Sequence, residues 1–445
     1  MLKANRKLGI IFFPAFDWAI SSTHPERQER LLYTQDQLRE EGIFDIEGVG
    51  EYKPDVATVE DVERVHFCFP DVNAVATRSH LISAGGAIKA GDLVMTGERD
   101  CAFAMVRPPG HHAMKVVHGS RGFCNINIEA VMIEHIREKY GHKRIAVVDT
   151  DCHHGDGSQD VFWHDPDTLF ISIHQDGRTL YPGSGFPYEL GGPAARGRTL
   201  NIPLPPNTSD EGFLMAIERV VLPILEDFKP DLIINSAGQD NHFTDPITNM
   251  NFSAQGYARL SEMLHPDIAV LEGGYSIQGA LPYVNLGLCL SMAGLDYSQI
   301  REPNYNPDQI RQDQRTTEYI EELCSQLPNL YFNPPPVKTD GDARLGIISG
   351  DKYIRNRQIY YDTDGISETQ QETVTLCKKC RGLRKVQTRA DSGPLCLGVE
   401  IPPDACPECR SQGYQLVEEA QLKGSNYRYI QLINRLDKEY LRFGF

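Results

Sequence analysis

Residues 149–156 bring together three carboxylates, Asp149, Asp151 and Asp156, and two imidazoles, His153 and His154, directly behind the apolar run Ile145-Ala146-Val147-Val148. Oxygen and nitrogen donors this close together suit a divalent metal, and hydrolytic zinc sites take three protein ligands while keeping a position open for water and substrate. Acidic residues with glycine after a strand also make ordinary solvated turns, so the rest of the chain decides the reading. Four more groups each follow an apolar run: Arg107-Pro108-Pro109-Gly110-His111-His112, Gly122-Phe123-Cys124-Asn125, Ser236-Ala237-Gly238-Gln239-Asp240 and Glu272-Gly273-Gly274-Tyr275. Cys377-Lys378-Lys379-Cys380 and Cys406-Pro407-Glu408-Cys409 are of another type. Two C-x-x-C knuckles a hairpin's length apart mark a closed, four-thiolate structural zinc site of ribbon type. Cys396 is a spare thiol that could substitute, and rubredoxin-like iron is the alternative metal.

Side chains so distant in sequence meet only where a scaffold gathers strand ends. Apolar runs at 101–106, 145–149, 168–174, 199–203, 232–237 and 268–272 read as buried strands, and helical periodicity at 128–140, 210–228 and 253–264 alternates with them. This alternation predicts an α/β fold with an open, mostly parallel sheet flanked by helices, whose carboxyl edge collects the groups above. If extended backbone persists to His153, the side chains of Asp149, Asp151 and His153 point the same way. Residues 71–90 read as a helix ending in Gly85-Gly86 and Gly91, and Pro223 should kink or divide the helix at 210–228.

In order and spacing these motifs resemble the histone deacetylase family, whose members deacetylate lysine side chains or polyamines; the match runs from about Gly9 to Gly294. The resemblance implies an arginase-deacetylase fold and a zinc-dependent amidohydrolase that removes acetyl or similar acyl groups from lysine by attack of a metal-bound water. It implies Asp151, His153 and Asp240 as ligands of the catalytic zinc, and Asp149 with Ser172 in a site for a monovalent cation, usually potassium. His112 is then the base, backed by Asp156, and His111 its partner, backed by Asp149. Tyr275 donates to the oxyanion, Phe123 and Tyr181 wall the acyl-lysine tunnel, and Gly122 leaves it room. Arg27 matches an internal arginine of the family. A binuclear, arginase-type site needs a second carboxylate two residues after Asp240; His242 stands there, which favours one metal. Polyamine-acting members carry a glutamate after an Asp-Pro pair at the tunnel mouth, and here Asp245-Pro246 is followed by Ile247. An apolar rim favours acyl-lysine in a protein or peptide. The alternatives are an acetylpolyamine amidohydrolase and a weakly catalytic module that binds partners through its ribbon.

At 445 residues, 40% hydrophobic and 24% charged, the chain suits a soluble α/β enzyme with a smaller appendage. The expected division is a catalytic unit over 1–330, a linker or extension over 331–375, and a ribbon over 376–445 ending in a helix. A net charge of -17 opposes general nucleic-acid binding and tolerates cationic substrates. No apolar run is long enough to span a bilayer. Eleven cysteines, an odd number bunched towards the end, fit reduced thiols and a cytoplasmic location. The knuckle is locally basic through Lys378, Lys379, Arg381, Arg384, Lys385 and Arg389, a possible docking face for an acidic partner. The family does not generally carry this appendage, and the resemblance says nothing about its role or about oligomers.

Overall fold

The computed structural model describes residues 2–141, 143–391, 393–422 and 426–444. The first part of the chain forms β1 (Lys3–Phe13), β2 (Glu47–Tyr52), β3 (Phe67–Cys68), β4 (Cys101–Val106), β5 (Val116–Val117) and β6 (Ile145–Asp149). It continues with β7 (Thr168–Gln175), β8 (Thr199–Leu204), β9 (Leu232–Ala237) and β10 (Ile268–Leu271). Eight of these make one sheet, ordered β2-β1-β4-β10-β9-β6-β7-β8, and each neighbouring pair is parallel. Strands β3 and β5 pair separately.

The central strands read as unbroken apolar runs because helices cover both faces of the sheet. In β4, Cys101, Phe103 and Met105 enter one core while Ala102, Ala104 and Val106 enter the other. The helices Arg78–Met95 and Ile128–Tyr140 close the second core; Ala254–Leu264 and Leu281–Met292 close the first. Asn127 caps Ile128–Tyr140 by accepting from the Ala130 amide, and Ser253 caps Ala254–Leu264 through Gly256. Of the five motif groups, Gly122–Asn125 follows β5, outside this sheet, while the other four follow β4, β10, β9 and β6, consecutive neighbours in it. Their loops therefore meet.

One local expectation changes and another holds. Gly85 and Gly86 lie inside Arg78–Met95 and do not end it. They are small because the helix is pressed against its neighbours: a Cβ at Gly85 would lie 2.1 Å from the Asp55 carbonyl oxygen. The helix at 210–228 is divided near Pro223 as expected, by the wide turn Ile217–Val221 that precedes the helix Leu222–Phe228. Proline supplies no amide hydrogen, and the wider turn accommodates that loss.

The stretch 331–375 is not a linker. After the helix Gln314–Phe332 it forms β11 (Ile347–Ser349), β12 (Lys352–Tyr361) and β13 (Ile366–Thr375). These join β14 (Arg384–Ala390), β15 (Leu395–Ile401), β16 (Tyr427–Asn434) and β17 (Glu439–Gly444) in a seven-stranded sheet that follows chain order. Nor does the chain end in a helix: Pro407–Gln421 is the crossover between parallel β15 and β16, and the β16–β17 hairpin follows it. The strands of 347–375 escaped an apolar pattern because charged and polar residues, Arg355, Arg357, Glu368, Gln370 and Glu372, interrupt Tyr353, Ile359, Tyr361 and Val374 on their inward face. Arg355 and Arg357 meet Asp160 at 3.2 and 2.8 Å, and Glu372 pairs with His164 and Arg384. Lys115–Glu400 at 3.1 Å and Arg442–Glu63 at 2.6 Å continue this seam between the sheets. Buried charge is tolerated when it is paired and hydrogen-bonded. Arg381 and Arg384, expected on an exposed basic face, are used in such pairs.

Candidate active site

Strand β6 stops at Asp149, and the backbone beyond it turns. Asp149 Oδ1 accepts from the Asp151 amide at 3.1 Å, and Asp151 Oδ1 accepts from the His153 amide at 2.8 Å. These two consecutive Asx turns, which replace the extended backbone expected there, separate the side chains. Asp151 and His153 converge with Asp240, their ligand-type atoms all within 4.8 Å of one another, while Asp149 turns to His111. His153 Nδ1 lies 2.9 Å from Asp240 Oδ2 and 3.2 Å from Asp151 Oδ1.

Glycines make this convergence possible. A Cβ at Gly238 would lie 2.1 Å from Asp151 Oδ2, and one at Gly273 would lie 2.4 Å from Asp240 Oδ2. Two buried carboxylates and an imidazole form the donor set that zinc takes in hydrolytic sites. Burial disfavours a charged His153, yet Asp240 and Asp151 raise its pKa to about 10. The two carboxylates thus draw positive charge to the point where they meet, and the residues fit a divalent cation. His242 faces elsewhere, with Nδ1 on Thr244 Oγ1 and Nε2 on Glu302.

The tandem histidines each have a carboxylate. His111 Nδ1 lies 3.0 Å from Asp149 Oδ2, and His112 Nδ1 lies 2.8 Å from Asp156 Oδ1. Burial opposes charge on His111, but Asp151 and Asp149 raise its pKa well above the ordinary value. Burial, with the adjacent His111, lowers His112 to about 4 against the pull of Asp156. Glu272 Oε2 fixes the turn that presents the pair, accepting from the Gly110 and His111 amides at 2.7 and 3.0 Å. Gly122, at φ +50°, packs on His112 so closely that a Cβ would fall 2.3 Å from its Cδ2.

Tyr275 is 8% exposed, and its hydroxyl has no protein partner among the described residues. Its amide donates to Asp245 Oδ2 at 2.8 Å, and Asp245 Oδ1 accepts from the Ile247 amide. The Phe123 ring stands 5.6 Å from the Tyr275 ring, and the Tyr181 ring 5.2 Å from that of His112. Both aromatics expected as tunnel walls therefore border the tandem histidines and Tyr275. Ser172 is the register partner of Asp149 across β6–β7, with its hydroxyl 2.9 Å from His174 Nδ1.

Several contributors went unread in the sequence. Arg30, not Arg27, is the internal arginine. Arg30 is fully buried, with Nη1 2.9 Å from Glu26 Oε2, whereas Arg27 is a surface residue near Glu29. The Glu26 carboxylate also meets Arg107 at 2.8 Å. A Glu-Arg pair four apart gives no signal that distinguishes it from surface decoration. Arg121 holds Asp156 at 2.5 Å, and neither its place beside Gly122 nor its type announced that partner.

The four knuckle cysteines gather as expected, their sulfurs within 4.8 Å of one another, and Cys377 and Cys406 are 3.7 Å apart. Tetrahedral zinc with Zn–S bonds near 2.3 Å sets sulfur separations of roughly 3.8 Å, so this cluster also fits its metal. The backbone amide of Lys379 draws the Cys377 thiol down to about 7. Cys396 is no substitute ligand: it is buried in another apolar cluster, with Phe67 and Val386.

The histone deacetylase domain family matches residues 69–285. A probable deacetylase of Archaeoglobus fulgidus is 48% identical over 317 residues, covering 65% of this chain and 87% of that protein. The histone deacetylase-like amidohydrolase of Pseudomonas aeruginosa is 34% identical over 55% of this chain and 67% of its own length. The acetoin utilization protein AcuC of Bacillus subtilis is 31% identical over 64% and 82% of the two chains. Among solved structures, the crystal structure of the HDA15 HD domain superposes with a TM-score of 0.63 at 25% identity, covering 74% of this chain and 95% of that one. With the parallel sheet and the buried cluster at its carboxyl edge, these similarities make the chain a member of the histone deacetylase family.

Proposed function

We propose that this protein hydrolyses the amide bond of an acylated amine, and that its substrate is an acyl-lysine side chain in a protein or peptide. The observation that supports this reading is the convergence, in one buried cluster, of Asp151, His153 and Asp240 with two carboxylate-backed histidines. Asp151, His153 and Asp240 would hold zinc. A zinc ion there supplies Lewis acidity, polarising the acyl carbonyl and making water nucleophilic near neutral pH.

The protein's own groups do the rest. Asp156 fixes Nδ1 of His112, leaving Nε2 to take a proton from the attacking water, and Arg121 keeps Asp156 ionised. His111, backed by Asp149, supports His112 and balances the negative charge that develops. Tyr275 directs its free hydroxyl at the oxyanion, a donor made in advance of the charge it stabilises. Phe123 and Tyr181 confine the aliphatic chain, and Gly122 leaves it room. Asp149 and Ser172, level with each other across two strands, would contribute to a monovalent-cation site, usually taken by potassium. Cys377, Cys380, Cys406 and Cys409 would hold a second, structural zinc.

No helix among the described residues is long and apolar enough to cross a membrane. The cytoplasmic reading rests on eleven free thiols, four of them in the knuckle cluster. The test is hydrolysis of a panel of acyl-lysine peptides and acetylated polyamines by zinc-loaded and chelator-stripped protein. Zinc-dependent turnover of the peptides supports the reading; zinc-loaded protein that hydrolyses none of the panel refutes it.

A further inference from the structure

The turn between β12 and β13, residues 362–365 of the second sheet, lands on the loop that carries Gly122 and Phe123. Asp364 Oδ2 accepts from the Ser120 amide at 2.6 Å, Arg121 Nη1 donates to the Tyr360 carbonyl at 2.5 Å, and the Gly122 amide donates to Asp362 Oδ1 at 3.0 Å. The fit is close enough to need Gly119, where a Cβ would lie 2.6 Å from Asp364 Oδ2. The Tyr181 hydroxyl also donates to Asp362 Oδ1, again at 3.0 Å. One carboxylate oxygen from the appended sheet thus ties the Gly122–Phe123 loop to the Tyr181 ring, which borders His112.

Asp362 is half-buried, and its second oxygen has no hydrogen-bond donor among the described residues. Arg121, whose charge Asp362 also feels, spends its hydrogen bonds on Asp156 and the Tyr360 carbonyl. A carboxylate fixed on one oxygen by neutral donors, with the other oxygen unengaged beside an aromatic tunnel, is a preorganised acceptor. We propose that Asp362 is a substrate-binding residue at the tunnel mouth, its second oxygen accepting an N–H from the part of the substrate that flanks the acylated chain. This rests on the deacetylase reading above and sharpens its substrate class. Ile247 does not leave the rim without a countercharge, because the appended sheet supplies one. The flanking N–H can be a peptide amide or the ammonium of a polyamine, and the second sheet becomes part of the active site.

The experiment compares zinc-loaded full-length protein with its Asp362→Asn variant on three substrates: an acetyl-lysine peptide, acetylspermidine and N-butylacetamide, which has no flanking N–H. Asparagine keeps Oδ1 for Gly122 and Tyr181 but replaces the second oxygen with an NH2 group, which carries no charge and donates instead of accepting. Hydrogen bonds to charged groups are worth about 1.5–3 kcal/mol, or roughly 10- to 100-fold. The expected result is a loss of kcat/KM, carried by KM, at least tenfold greater for the peptide or acetylspermidine than for N-butylacetamide. Whichever of the two loses more identifies the flanking donor as amide or ammonium. Asp362→Glu, which retains the charge, should recover part of that preference. Equal losses on all three substrates would mean that Asp362 only supports the loop, and unchanged kinetics would mean that it does nothing; either overturns the proposal. Failure of the wild type to hydrolyse any of the three overturns the deacetylase reading as well, a result distinct from indifference to residue 362.

Discussion

The guanidinium of Arg30 lies 5.1 Å from the centre of the Tyr275 ring while its Nε donates to the Gly274 carbonyl at 2.8 Å. A second nitrogen meets the Glu272 carbonyl, so one buried side chain fastens the whole Glu272–Tyr275 turn. Arg30 is held in turn by Glu26, and Asp245 secures the Tyr275 amide from the other side. The phenol is rigidly placed and its hydroxyl left unengaged, which is what an oxyanion donor requires.

Arg30→Met should destabilise the protein by about 3–5 kcal/mol, because Glu26 loses one of its two buried guanidinium partners and two backbone carbonyls lose a donor. Arg27→Ala, at the surface, should shift stability by no more than about 0.5 kcal/mol. Urea unfolding of both variants checks this, and similar midpoints would remove Arg30 from its structural role.

Tyr275→Phe should keep the fold and bound zinc while lowering kcat by about 10²–10³, the usual scale for one oxyanion donor. Turnover near the wild-type value, measured on the best peptide of the panel, would exclude the hydroxyl from the reaction.

Asp240→Ala should remove the zinc bound at the catalytic cluster and with it nearly all hydrolysis, since Asp151 and His153 would be left as the only ligands. Elemental analysis of the dialysed variant should show one zinc equivalent fewer than wild type. An unchanged content would mean that the ligand set is wrong.

Replacing Cys377 and Cys406 together by serine should also remove one equivalent, this time with loss of protection in β13–β16. The first knuckle lies between β13 and β14 and the second starts the crossover helix from β15 to β16, so opening the cluster frees both connections. Hydrogen exchange reports the location directly, and retention of zinc by the double variant would refute the four-thiolate site.

Glu368 gives a pH dependence whose sign follows from its surroundings. Burial pushes its carboxyl from 4.5 up to about 7, against hydrogen bonds from Thr388 and Tyr361 and the charge of Arg357; Asp160 adds to the rise. Between these two values the folded protein binds a proton that the unfolded chain does not. The group's contribution is therefore complete below pH 4.5 and is lost as pH rises through 7. Glu368→Gln should narrow the difference between Tm at pH 5 and Tm at pH 8, raising stability at pH 8 by up to roughly 3 kcal/mol. An unchanged difference would show that the carboxyl does not titrate in this window.

The strand ends and their motifs were legible in the sequence because each depends on short-range features. Ile145–Asp149 and Leu232–Ala237 are apolar runs with nearly the same limits in the structure, and Cys377–Cys380 with Cys406–Cys409 is a spacing. The family resemblance supplied Asp151, His153 and Asp240 as a set, and the sheet brings them together.

What the sequence could not reveal lies where a partner is remote or where the local pattern is polar. Arg30 and Arg27 sit on one short stretch, and only packing against Gly274 and Glu26 separates a buried arginine from an exposed one. The strands at 347–375 have charged residues among the apolar ones on their inner face, so period-two hydrophobicity was interrupted; ion pairs with Asp160 and His164, about 200 positions away in the chain, help close their cores. Asp362 is the clearest case. As a residue in an Asp-Thr-Asp-Gly turn it signals only a change of direction, and its neighbourhood is decided by how two sheets dock. Local sequence determined the chemistry available to this protein, because ligand types and strand ends are encoded within a few residues. The tertiary structure decided which carboxylate stands at the tunnel mouth, because that position depends on contacts made across some 240 residues of chain.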